Sequence, residues 1–307
     1  MAALKPLEGL RVISFEQFGA APYATMFLAD FGAEVIKVES AQGDYARQTG
    51  PQTLEAGDSL YYQCFNLNKK SMVLNLKDPS DRALFERMVV DCDAVVNNLR
   101  GSLPARLGID YAALKSIKPS IVCGHISAYG RTSSRADWPG YDFLMQAEAG
   151  IMALTGGPDS EPTRIGLSMI DYMTGLMLAY GVTSAIHSAS QTGVGMDIDA
   201  SLFDTAVHQL AYQGTWYLNE GIVTPRMPRA AHPSSVPVQL YKTADGWIYL
   251  CCMNQNFWNI LLQLIDRADL GEDPRFATMA DRETHRAVLS DTLDAVFGEK
   301  SSAQWMD

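Results

Sequence analysis

The chain has 307 residues, with 24 Lys+Arg against 35 Asp+Glu and a net charge of −11. That balance argues against nucleic acid as a partner, although a local cluster of Lys and Arg can still hold an anionic cofactor. With 47% hydrophobic residues the chain can bury a sizeable core, as one large domain or two smaller ones. Its five cysteines (Cys64, Cys92, Cys123, Cys251 and Cys252) are odd in number and include no CxxC pair. This reads as reduced thiols in a cytoplasmic protein with no zinc site. The opening Met1-Ala2-Ala3-Leu4-Lys5-Pro6-Leu7-Glu8-Gly9 lacks the apolar core of a signal peptide.

Leu10–Phe15 reads as a buried strand, followed by the small-residue loop Gly19-Ala20-Ala21-Pro22 and a helix from about Tyr23 to Phe31, stopped at Gly32. Glu34–Glu39 is the next strand. A strand, helix and strand in this span form a βαβ unit and imply a parallel sheet. The pattern recurs with a strand at Ser71–Leu76, a helix at Asp78–Val90, and strands at Ala94–Val96 and Ser120–Ile126. The expected fold is α/β, with a doubly wound parallel sheet in the large domain. Ligands in such sheets bind beyond the carboxyl ends of the strands, so the loops after Phe15, Val38, Val96 and Ile126 are candidate site walls.

From Leu167 to Ala189 the residues are nearly all apolar or small, and Asp171 carries the only formal charge. The stretch is long enough to span a bilayer. Its Asp171, Tyr172, Tyr180 and His187, without flanking basic anchors, favour a buried helix and no membrane. A further helix is expected over Ser201–Leu218. Residues 221–237 hold four prolines and read as a linker between a large domain at 1–220 and a smaller α+β domain at 238–307. There, Gln239–Lys242 and Trp247–Cys251 flank a Thr243-Ala244-Asp245-Gly246 turn, a hairpin signal. Helices follow at Asn256–Ile265 and about Arg282–Phe297. The final Ser301–Asp307 resembles the opening of a capped helix, so a truncated chain is expected.

No GxGxxG, GxxxxGK[ST], HExxH or GxSxG is present. Asp171 is then the most informative residue. A carboxylate is costly to bury without partners. Asp171 either caps its helix, where the dipole favours a negative charge, or does chemistry.

A set of segments weighs on that choice: Pro6–Val12, Leu28–Glu39, Gly43–Arg47, Asn68–Ser71, Asn98–Gly101, Arg106–Tyr111, Pro139–Asp142, Asp245-Gly246 and Asp273–Phe276. In this order they resemble the class III coenzyme A transferases (the CaiB/BaiF family), which include formyl-CoA transferase, carnitine CoA-transferase and acyl-CoA racemases. The resemblance implies that Asp171 is a nucleophile forming an aspartyl-CoA thioester. Coenzyme A would serve as acyl-CoA co-substrate, a free carboxylic acid as acceptor, and no metal would be needed. By family position, Leu74, Asn75, Lys77, Asn98, Leu99 and Arg100 resemble the adenine and ribose-phosphate walls, and Arg106 a phosphate ligand. Gln17, Phe18, Gly19 and Ala20 resemble the acyl pocket, Pro139, Gly140 and Asp142 are further CoA-binding candidates, and Tyr141 is a catalytic candidate with Asp171. Racemases of the family resemble this chain but carry His in place of Tyr141. A tyrosine titrates near 10 and shuttles protons poorly at neutral pH, so transferase is favoured over racemase. Lys77 and Arg100 can equally be solvated surface cations, and Tyr141 an aromatic plug on a core helix.

The resemblance also implies an interlocked homodimer. Two departures matter. Where formyl-CoA transferase carries a glycine-rich loop, this chain has Cys252-Met253-Asn254-Gln255-Asn256, which disfavours formyl and oxalate. Family members also continue well past this chain's length. The expected activity is CoA transfer between carboxylic acids, with succinyl-CoA as an expected donor. An acyl-CoA racemase and a non-catalytic acyl-CoA-binding protein stand as alternatives.

Overall fold

A computed structural model describes residues 5–55 and 57–307; Met1–Leu4, part of the opening read above for a leader, lies outside them. Contacts divide the chain into two compact units, one running up to Ile151 and including Ile165–Gly214, the other comprising Met152–Arg164 and Thr215–Asp307. The division thus falls near Gly214, not within 221–237. The 152–164 excursion joins the second unit because Arg226 donates to the backbone oxygens of Ser160 and Glu161.

Along the first 220 residues the strands are β1 (Arg11–Phe15), β2 (Glu34–Glu39), the short pair β3 (Thr53–Glu55) and β4 (Asp58–Ser59), β5 (Lys70–Val73), β6 (Ala94–Asn97), β7 (Val122–Ser127) and β8 (Asp197–Ser201). The helices are α1 (Ala20–Asp30), α2 (Leu60–Asn66), α3 (Pro79–Val90), α4 (Leu103–Leu107), α5 (Tyr111–Leu114), α6 (Asp142–Glu148), α7 (Ile151–Leu154), α8 (Met169–Thr192), α9 (Leu202–Gln209) and α10 (Ala211–Glu220). Six strands form one sheet in the order β5-β2-β1-β6-β7-β8. Every neighbouring pair in it is parallel. The chain starts in the middle, winds outward through β2 and β5, then returns to the other side of β1 at β6. That reversal is the switch point where doubly wound sheets open a crevice.

Side chains alternate faces along a strand, and here both faces are covered. Val12, Val35, Ala94, Val96, Val122 and Ile126 pack with residues of α1 and α8 on one face. Ile13, Val38, Val95 and Cys123 pack with Phe85 and Val89 of α3 and Leu114 of α5 on the other. This is why the central strands read as continuous apolar runs. On α8, a Cβ at Gly175 would lie 2.6 Å from the carbonyl oxygen of Ala20, so glycine lets α1 and α8 meet backbone to backbone.

Several elements escape the sequence reading, and two differences bear on the sheet edge and the helices beyond it. The edge strand β8 carries Asp197 and Asp199, which look unlike strand residues; His125 on β7 meets Asp197 at 2.9 Å, and Arg131 pairs with both carboxylates. The helix expected over Ser201–Leu218 breaks between α9 and α10, where Ala211 takes a φ of +46°.

In the second unit β9 (Val238–Lys242) and β10 (Trp247–Cys251) form the expected antiparallel hairpin. The amide of Gly246 closes the turn on Thr243 Oγ1 at 3.0 Å. Helices α11 (Gln255–Leu264), α12 (Asp269–Glu272), α13 (Met279–Thr284), α14 (Arg286–Phe297) and α15 (Ser302–Met306) follow. The core gathers Tyr241, Trp258, Phe276, Leu289, Leu293 and Phe297. The single helix expected from Arg282 breaks at His285, and Ser301 with Gln304 forms a capping box at the head of α15. Among the described residues no helix is long and apolar enough to cross a membrane.

Candidate active site

The loops at the carboxyl ends of β1, β6 and β7 enclose a cleft of about 380 Å³. Gln17, Phe18, Gly19 and Ala20 line it after β1, Asn98, Leu99 and Arg100 after β6, and Pro139, Gly140 and Tyr141 ahead of α6; Asp171 of α8 completes it. Asn98 clasps the switch point. Its Oδ1 accepts from the Gln17 amide at 3.0 Å, and its Nδ2 donates to the Gln17 carbonyl at 2.7 Å. A second cleft of about 480 Å³ is walled by Leu74, Asn75 and Lys77 and by the loop from Glu39 to Asp44. Gln17 and Leu99 line both, so the two clefts meet there.

Three sequence candidates stand differently from expectation. Arg106 lines neither cleft; at the end of α4 its charge, with that of Arg100, acts on Asp137. Tyr141 is 67% exposed on the cleft wall at the head of α6, so it is no core plug. Asp142 is 2% exposed and lines neither cleft.

Asp142 instead decides what Asp171 is free to do. The N-cap residue of α8, Ser168, makes no side-chain cap bond. Asp142 Oδ2 accepts from the amides of Ile170 at 2.6 Å and Asp171 at 3.1 Å, while its Oδ1 accepts from Gln146 Nε2 at 2.5 Å. Those are amides a helix start leaves orphaned. Capping at the head of α8 is thus Asp142's role, and the Asp171 carboxylate is not spent on it.

Burial pushes the Asp171 carboxyl up to about 7, and the negative charge of Asp142 adds to the rise. The helix dipole had been expected to keep Asp171 ionised. It does not prevail, because burial outweighs it and a second carboxylate already sits on the amides at that helix end. The result is a poorly solvated carboxylate, reactive once ionised. It faces the backbone after β1, since a Cβ at Gly19 would stand 3.2 Å from Asp171 Oδ2.

An aromatic wall adjoins this carboxylate that the sequence reading missed. Tyr172 of α8 lies 4.9 Å from Tyr23 of α1 and 6.0 Å from Phe65 of α2, and Tyr61 lies 5.2 Å from Phe65, all between ring centroids. Burial and then the charge of Asp171 push the Tyr61 phenol up to about 12. A signal for α2 was present, as Ser59 caps it by accepting from the Tyr62 amide at 3.0 Å.

Comparison with known proteins fits this geometry. The profile of CoA-transferase family III matches residues 7–307. The acetyl-CoA:oxalate CoA-transferase of Acetobacter aceti is 35% identical over 305 residues, which cover 98% of this chain and 77% of that protein. The succinate–glutarate CoA-transferase of Agrobacterium fabrum is 35% identical over 290 residues, 92% of this chain and 72% of that one. The crystal structure of a CAIB/BAIF family protein from Brucella suis superposes with a TM-score of 0.83 at 35% identity, covering 98% of this chain and 80% of that one. With the sequence profile, the relatives and the fold in agreement, this chain belongs to CoA-transferase family III and is a CoA-transferase.

Proposed function

We propose that the chain transfers CoA from an acyl-CoA to a free carboxylic acid through an aspartyl-CoA thioester on Asp171. The observation that carries this reading is a partly buried carboxylate in the cleft whose capping duty another carboxylate has taken. Asp171 attacks the donor thioester carbonyl, and the C–S bond breaks to give a mixed anhydride and CoA thiolate. The thiolate attacks the aspartyl carbonyl, releasing the donor acid as carboxylate and leaving aspartyl-CoA. The acceptor carboxylate repeats the two steps in reverse, departs as its CoA thioester and restores Asp171. Splitting the exchange in this way replaces one difficult step with easier ones. Gly19 permits the close approach, and the amides at the head of α1 are suited to stabilise the developing oxyanion.

The second cleft would take the nucleotide end of CoA, with Leu74 and Asn75 beside the adenine and Lys77 toward the phosphates, while Arg100 would reach them from the first cleft. Arg106 remains a phosphate ligand in this reading, reached from the end of α4. Relatives named for oxalate and for succinate and glutarate are equally similar to this chain, so identity does not choose the acid. A short dicarboxylate is the proposed acid, as the relative named for succinate and glutarate suggests. Succinyl-CoA is the proposed donor. The enzyme would work in the cytoplasm as an interlocked homodimer; its free thiols fit that compartment.

Intact-mass spectrometry after mixing with succinyl-CoA tests the nucleophile. The expected product carries CoA less one water, loses it to hydroxylamine and is absent from Asp171→Ala. A protein that binds CoA yet forms no adduct with any of several acyl-CoA donors would overturn the reading.

A further inference from the structure

The loop passing the nucleophile is gripped from behind by a buried ionic network that the steps above do not use. Phe18 holds a φ of +60°. A bulky residue keeps that left-handed conformation only when its surroundings impose it. Its amide donates to Asp44 Oδ1 at 3.3 Å, and its ring stacks on Tyr45 with centroids 6.2 Å apart. The same Oδ1 accepts from the Ala46 amide at 2.8 Å, and the Asp44 amide donates to Glu39 at 2.8 Å. Asp44 Oδ2 meets Lys37 Nζ at 2.5 Å, and both side chains are 0% exposed. Lys37 also donates to Asn66 at 2.9 Å; Asn66 accepts from Lys69 at 3.2 Å, and Lys69 pairs with Glu16 at 2.8 Å. The loop is therefore held at Glu16 through Lys69 and at Phe18 through Asp44. Buried ion pairs add little net stability over apolar packing, so stability alone does not account for this one.

We propose that Asp44 is a positioning residue for CoA transfer: its carboxylate holds Phe18 in the left-handed conformation and so keeps Gly19 against the Asp171 carboxylate. Asp44 also lines the second cleft, so one side chain joins the loop beside the nucleophile to the wall assigned to the nucleotide. The proposal rests on Asp171 as nucleophile. Wild-type adduct formation tests that premise by itself.

Replacing Asp44 alone would strand the Lys37 ammonium, so both charges are removed together. Lys37→Met/Asp44→Asn retains an acceptor for the Phe18 amide, and Lys37→Met/Asp44→Leu does not. With kcat, the KM for succinyl-CoA and thermal unfolding measured for each, the Leu variant is expected to fall about a hundredfold below the Asn variant in kcat, a cost typical of slight misplacement. KM should stay within about threefold, as expected when an interaction serves mainly the transition state. Equal kcat in two folded variants would overturn the proposal. Phe18→Pro against Phe18→Ala gives a second test: both lose the ring, but proline also lacks the amide proton and fixes φ near −65°. The proline variant should fall at least about tenfold below the alanine variant in kcat. Equal rates would overturn the proposal even if the Leu variant does not fold.

Discussion

Asp171→Asn should make the protein more stable at alkaline pH while abolishing adduct formation. The Asp171 carboxyl stands at about 7 against an ordinary 3.8. Between those values the folded chain keeps a proton that the unfolded chain has released. Stability from this group is full below about pH 4 and is lost as pH rises through 7. The whole displacement corresponds to ~4 kcal/mol. Asparagine is neutral throughout and also removes the repulsion from Asp142. The stability advantage of Asp171→Asn should therefore grow by about 2 kcal/mol between pH 5.5 and pH 8.5. Urea unfolding of both proteins at several pH values, compared at equal m-value, measures it. Adduct formation by the wild type needs the ionised carboxylate and should rise over the same range. An advantage that stays constant with pH would refute the argument, because Asp171 would then titrate as a solvated or hydrogen-bonded acid.

Asp142→Asn removes the neighbouring charge that helps to hold Asp171 high. The pH midpoint of adduct formation, followed by rapid quench, should move to lower pH; an unchanged midpoint would assign the rise to burial alone. Gly175→Ala places a methyl 2.6 Å from the Ala20 carbonyl. It should destabilise the protein by about 1–3 kcal/mol in urea unfolding, and a neutral result would mean that α1 and α8 separate without cost.

Much of the large unit was legible because its central strands are buried on both faces and its helices start and stop with recognisable signals. Asp78 caps α3, and Gly32 follows α1. What stayed hidden depends on partners far along the chain. β8 pairs its two carboxylates with His125 and Arg131, which local sequence does not reveal. In the site, Asp171 stood out as a lone charge in an apolar stretch, yet its displaced acidity arises from burial and then Asp142, not from its place on the helix. Lys37 gave a readable hint, since a lysine in a strand bound for the middle of a sheet requires a buried partner. Only the fold names that partner as Asp44.

The clasp between His125 and Asp197 joins residues 72 positions apart, and this has a bearing on synthesis. During translation β7 leaves the ribosome long before β8, so one edge of the sheet stays open while the intervening chain is made. Such distant pairings fold slowly, and an unpaired parallel edge invites association with other chains. Chaperone demand for this protein should therefore be greatest in that interval and ease once Asp197 emerges to meet His125 and the Asp-bearing β8 becomes the edge.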